Sequence, residues 1–160
     1  MKVSAQEEYG LRCMLQFARR GRGGTTAPLT LAEVARGEGL TISYVAKLVR
    51  PLRRAGLIRS VLGRSGGYTL SRDPGQITVL EVLNAMGERL YSSEYCSRFP
   101  GDKDACTHLG DCGIRSLWGG IEGLLDRVLG RTTLSDLMGG ERCVPGIVEA
   151  HAAAEGGTAR

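Results

Sequence analysis

Three thiols stand close together in an otherwise polar stretch, Cys96-Ser-Arg-Phe-Pro-Gly-Asp-Lys-Asp-Ala-Cys106-Thr-His-Leu-Gly-Asp-Cys112. Nine residues separate the first pair and five the second. Pro100, Gly101, Gly110 and three aspartates make the stretch a loop rather than a helix or strand. Thiolates bind zinc or iron–sulfur centres far better than hard cations, so the loop is a candidate soft-metal site. Such a centre needs a fourth donor. His108 offers one locally, as Cys-x9-Cys-x-His-x3-Cys, a tetrahedral zinc pattern. An acidic residue from elsewhere, or from a second chain, is the alternative. The plainer reading is free thiols or a redox pair. Cys13 lies on the apolar side of a predicted helix and is expected in the core. Cys143 sits in the tail with no partner in the pattern.

The elements that must position this loop follow from hydrophobic period. Tyr9, Leu11, Met14, Leu15, Phe17 and Ala18 predict a helix over 4–20, with Ser4 and Glu7 as its capping box. Gly21 to Pro28 ends it. Thr30 and Glu33 cap a short helix over 31–37, and Gly37 and Gly39 make a turn. Thr41 opens a helix over 41–55 with Val45, Leu48, Val49 and Leu52 on one face. Pro51 is expected to kink or loosen it, because it removes a backbone hydrogen bond. Two short helices around a tight glycine turn fit a helix-turn-helix. Residues 57–70 read as strand, Gly-rich turn, strand: a wing. Thr78 and Glu81 start a helix to about Met86. Beyond the cysteines, Ile114, Leu117, Trp118, Ile121, Leu124, Leu125 and Val128 form an apolar seam of the kind used between helices. Gly119, Gly120 and Gly123 would let another backbone approach. Thr133–Met138 suggests a short last helix. From Glu141 the Ala/Gly-rich chain is expected to fray.

Charge is distributed unevenly. The net charge is only +4, yet residues 41–72 carry Lys47, Arg50, Arg53, Arg54, Arg59, Arg64 and Arg72 with no acid among them. A basic helix plus a basic wing is the footprint of a phosphate-binding surface. Thr41, Ser43, Tyr44 and Lys47 are placed to reach base edges or phosphates in a major groove, with Arg50 and Arg54 further along the same helix. In the wing, Arg64 suits a narrow minor groove, beside Ser65 and the small Gly66 and Gly67. No serine triad, paired-carboxylate site or phosphate loop supports catalysis. No apolar run approaches the ~20 residues that span a membrane, and a cytoplasmic location is expected.

These motifs together resemble the IscR/NsrR-type (Rrf-two) winged-helix transcription regulators of bacteria. The resemblance is carried by Met-Lys-Val-Ser with Tyr9-Gly-Leu-Arg, by Leu31-Ala-Glu-Val-Ala35, by Ile42-Ser-Tyr-Val-Ala-Lys-Leu48, by Gly63-Arg-Ser-Gly-Gly-Tyr-Thr-Leu70 and by the three-cysteine loop. It spans Met1 to about Met138. It implies a mainly α fold: a winged helix-turn-helix with a two-stranded wing and a long C-terminal dimerisation helix. The expected organisation is a DNA-binding domain over 1–90, a cluster-binding loop over 91–112, a dimerisation helix over 113–140 and a disordered tail over 141–160. The family implies a homodimer on double-stranded DNA. Its cluster-binding members hold an iron–sulfur cluster, 4Fe-4S or 2Fe-2S, on Cys96, Cys106 and Cys112. Some members take a fourth ligand from a histidine shortly after the third cysteine, but Arg115 stands there. Others take an acidic residue from the partner subunit's first helix, which here is Glu8, with His108 as runner-up. The implied function is a regulator, expected to repress, whose DNA affinity follows nitric oxide, redox state or iron. Zinc or thiol–disulfide chemistry at the same cysteines is the alternative.

Overall fold

The computed structural model describes residues 3–22, 27–63, 66–87, 95–98, 102, 106–108, 110–142 and 144–153, without the side chains of residues 22, 95 and 96. Helix α1 (Ala5–Arg22) begins where Ser4 and Glu7 exchange hydrogen bonds, Ser4 N–H to the Glu7 carboxylate at 2.7 Å and Glu7 N–H to Ser4 Oγ at 3.2 Å. Reciprocal bonds of this kind satisfy donors that the first helical turn leaves open. The same box opens α2 (Leu31–Glu38) at Thr30 and Glu33, and α4 (Val79–Met86) at Thr78 and Glu81. Gly39 closes α2 in the left-handed region, at φ +67, which few other residues enter cheaply. That turn delivers the chain to Thr41, the N-cap of α3 (Ile42–Arg54). Pro51 does not end α3; the helix continues through it to Arg54.

Val45, Leu48, Val49 and Leu52 of α3 are buried against Cys13, Met14 and Phe17 of α1, Val34 and Ala35 of α2, and Val82 and Met86 of α4. Strands β1 (Ile58–Val61) and β2 (Gly67–Leu70) pair antiparallel, Ile58 opposite Leu70 and Val61 opposite Gly67. The wing gains a third, one-residue rung. Leu29 and Tyr68 exchange backbone hydrogen bonds at 2.9 and 2.8 Å. This close approach requires Gly67: a Cβ there would lie 2.5 Å from the Leu29 carbonyl oxygen.

After a short helix α5 (Tyr95–Arg98), the long helix α6 (Gly113–Arg131) is tied to the winged domain at its C-terminal end. Val128 is buried, Val79 N–H donates to the Thr132 carbonyl at 2.8 Å, and Leu134 N–H donates to the Ile77 carbonyl at 3.0 Å. Helix α7 (Leu134–Leu137) follows. The expectation of a frayed tail is corrected over part of its length, because Val144–Ala153 forms a helix, α8, packed on α6. His151 helps dock it, with Nδ1 3.3 Å from Thr132 Oγ1. The Thr132 hydroxyl already donates to the Val128 carbonyl, so Nδ1 is the donor in this pair.

The capping carboxylates make stability depend on acid. Hydrogen bonds from the Thr30 backbone and hydroxyl, then Arg20, hold Glu33 below its ordinary value. Burial works against Glu81, but bonds from Thr78 and Arg72 outweigh it and lower that group too. A depressed carboxylate contributes stability above the unfolded pKa, and the contribution is lost as pH falls through the folded one. Chemical denaturation midpoints should therefore drop below pH ~4, and the drop should shrink in Glu33→Gln. An unchanged pH profile in that variant would contradict the assignment.

Candidate nucleic-acid interface and cysteine loop

The exposed face of α3 and the wing enclose a groove of about 490 Å³. Ser43, Lys47, Arg50 and Arg53 line it from α3 and Tyr68 from β2. Three cations on one face follow from helical spacing, because residues three and four apart are neighbours. Thr41 caps the helix that carries them, its Oγ1 accepting from Tyr44 N–H at 3.2 Å and lying 3.2 Å from Ser43 Oγ. Tyr44 is half-buried. Its ring meets Tyr9 edge-on, with centroids 5.9 Å apart, so it braces α3 on α1. Arg54 is exposed but does not line the groove. Arg53 does, and its +3 spacing from Arg50 is the signal that marks it. Tyr68 carries no such signal, because it enters through strand pairing.

Two expectations about the wing need qualification. Arg64 and Ser65 lie outside the described residues. Gly66 and Gly67 have internal reasons to lack a side chain, since a Cβ on Gly66 would lie 2.8 Å from the Val61 carbonyl oxygen and Gly67 abuts Leu29. Arg72, counted in the basic run, is engaged by Glu81 at 2.9 Å and donates to the Gln76 carbonyl at 3.3 Å.

Of the thiols, Cys106 and Cys112 are half-buried and not in a disulfide. Cys112 is the N-cap of α6, its Sγ accepting from Arg115 N–H at 3.4 Å. Cys96 lies in α5, and its side chain is outside the described residues. His108 is exposed. Among the described residues no three potential ligands converge. Cys13 is a core residue, as expected: it is fully buried, and burial pushes its thiol up to about 12. Glu8 is half exposed on α1 and pairs with Arg12 at 2.8 Å, whose guanidinium lies over the Tyr9 ring. Glu8, Arg12, Tyr9 and Tyr44 thus form one contact chain from the start of α1 to the start of α3.

Replacing Lys47 with alanine should weaken duplex binding nearly uniformly across sequences. The slope of log affinity against log salt should shrink by about 1. Fluorescence anisotropy over a salt series checks this, and an unchanged slope would remove Lys47 from the phosphate contacts.

The comparisons agree with this architecture. Residues 3–140 match the family described as Rrf2, iron-dependent transcriptional regulator. The HTH-type transcriptional regulator IscR of Cronobacter sakazakii is 33% identical over 138 residues, which cover 86% of this chain and 80% of that one. CymR (YrzC), the global cysteine regulator of B. subtilis, superposes with a TM-score of 0.66 at 30% identity, covering 87% of this chain and 97% of its own. IscR of T. potens superposes with a TM-score of 0.66 at 28% identity, covering 87% of each chain. Among the described residues no helix is long and apolar enough to cross a membrane. With a winged helix-turn-helix that presents a basic groove, and a family match running through the long helix, the chain belongs to the Rrf2 family of DNA-binding transcriptional regulators.

Proposed function

We propose that this protein is a homodimeric repressor whose grip on DNA follows the state of an iron–sulfur cluster held by Cys96, Cys106 and Cys112, with Glu8 of the second subunit as fourth ligand. The observation that carries the reading is the position of Cys112. It is the N-cap of α6, the helix with the exposed apolar seam, and the other end of α6 is hydrogen-bonded into the DNA-binding domain. The donor chemistry fits, with three thiols in one segment and an N–H···S bond at the third. Bound there, a cluster supplies a centre sensitive to nitric oxide, oxidation and iron supply. The chain's own part is mechanical. Cys112 would hold the cluster at the start of α6, and Glu8 would have to leave Arg12, whose guanidinium lies over Tyr9, to serve as a ligand. Tyr9 braces the recognition helix through Tyr44. The family description as iron-dependent supports the same reading.

Dimerisation through α6 rests on its exposed apolar side chains. Ile114 is 69% exposed, Leu117 57%, Trp118 41% and Leu124 44%. A Cβ on Gly119 or Gly120 would meet nothing within 4 Å in the chain itself, which leaves room for a second helix.

Anaerobically purified protein should be brown, and the Cys96→Ser/Cys106→Ser/Cys112→Ser variant colourless. Loaded and stripped wild type should differ in DNA affinity by about 5- to 150-fold, the usual span of coupling between sites. The triple variant should show no such difference. Glu8→Ala should lose the cluster faster than His108→Ala. Colourless wild type with one zinc per chain would overturn the cluster and leave the second reading, zinc or thiol–disulfide chemistry at the same residues. The observation that favours that second reading is that Cys106 and Cys112 are in no disulfide.

A further inference from the structure

We propose that the cleft behind the wing is a binding site for a small amphipathic anion, an apolar body carrying a carboxylate, and that its occupancy is felt at the DNA groove through Tyr68. The cleft measures about 640 Å³ and lies between the end of α1, the hairpin and α7. Small-molecule sites usually fall in the range ~300–1,000 Å³, with apolar walls and a few placed polar groups. This cleft has that division. Phe17, Leu29 and Met138 give it an apolar floor, and arginines stand at its walls.

The arginines are not equivalent. Arg20 faces Glu33 at 3.6 Å and Arg72 is bonded to Glu81 at 2.9 Å. Among the described residues no ion pair involves Arg59, which is exposed on β1. The acid in the lining, Asp73, already accepts from Gly75 N–H at 2.8 Å. An uncompensated guanidinium beside an apolar floor suits a carboxylate head, which it binds as a two-pronged donor, with the hydrocarbon body over Phe17 and Leu29. A DNA backbone fits poorly, because a phosphodiester has no apolar body to fill the floor. The groove suited to phosphates is the other one, lined by Ser43, Lys47, Arg50 and Arg53.

Tyr68 lines both spaces. Its backbone is fixed by Leu29 on one side and by pairing with Ser60 on the other, so a ligand pressing on its side chain acts against a held strand. The cleft also takes in Ser135 and Met138, just past α6. It therefore touches the wing, α1 and the segment that follows the long helix. This site is independent of the cysteine loop, and its test does not require metal.

Octanoate is the probe. In isothermal titration with the full chain it should bind saturably, one per chain, and displace anilinonaphthalene sulfonate. Arg59→Ala should weaken octanoate by about 10- to 100-fold, the usual effect of losing a charged hydrogen bond. Ser135→Trp, which fills the cleft from an exposed position, should abolish binding while the circular dichroism melt is retained. Octanoate should shift affinity for a duplex selected by the protein from a random pool by about 5-fold or more, and should not do so in Ser135→Trp. The site is overturned if octanoate gives no saturable heat, or if Ser135→Trp binds it unchanged. It is also overturned if Arg59→Ala leaves octanoate binding intact and instead lowers the DNA salt slope by about 1, which would make Arg59 a phosphate contact. Binding without any change in DNA affinity overturns the role of Tyr68.

Discussion

Trp118→Glu is expected to give a monomer that binds its operator about 10²- to 10⁴-fold more weakly than wild type, the factor lost when two linked reading heads become one. The reason lies along α6. Its C-terminal end is anchored by Val128 and Thr132, while Ile114, Leu117 and Trp118 toward its N-terminus and Leu124 past its middle stand exposed. Apolar surface of that extent along one helix marks a contact with another chain. A carboxylate at position 118 would have to be buried in the seam, without a partner. Light scattering after gel filtration reads the mass directly. Val148→Glu, at an exposed apolar position on α8, is the control and should stay dimeric. A dimeric Trp118→Glu would place the interface elsewhere.

Leu48→Ala is expected to cost about 2–5 kcal/mol, the range for truncating a fully buried leucine. Leu48 is fully buried where α3 meets α1 and α2. Total stability of a domain this size is on the order of 5–15 kcal/mol, so the variant should unfold at markedly lower denaturant. Ile42→Ala sits six residues earlier on the same helix and should behave in the opposite way. Ile42 is 54% exposed, so little stability is lost. Its place between Thr41 and Ser43 at the start of the recognition helix should instead make it alter DNA affinity. Equal losses of stability in the two variants would contradict the burial pattern.

Much of this was legible in the residues because the signals are local. Capping pairs Ser4/Glu7, Thr30/Glu33 and Thr78/Glu81 lie three apart, and each marks a helix start that the structure contains. The period of Val45, Leu48, Val49 and Leu52 names the buried face of α3, and the basic positions fall on the other face. The apolar period of α1 likewise places Cys13 in the core, and it is fully buried. Helix α3 runs through Pro51 over the span its apolar period names, with Leu48 and Leu52 holding the flanking turns in the core. In the tail, packing overrides the local signal. The tail reads as poor helix, yet Val144–Ala153 is helical against α6.

The sequence alone determined the helix starts, the turn at Gly39, the buried stripe of α3, the clustering of positive charge and the three thiols in one segment. Each depends on residues a few positions apart, whose geometry the backbone period dictates. Tertiary structure decided that Tyr68 of the wing joins the α3 cations at one groove, that Arg72 is drawn off by Glu81, and that Leu29 rises to pair with Tyr68. Those outcomes join residues distant in the chain. They are settled by how the faces of separate elements pack, which no single stretch of sequence contains.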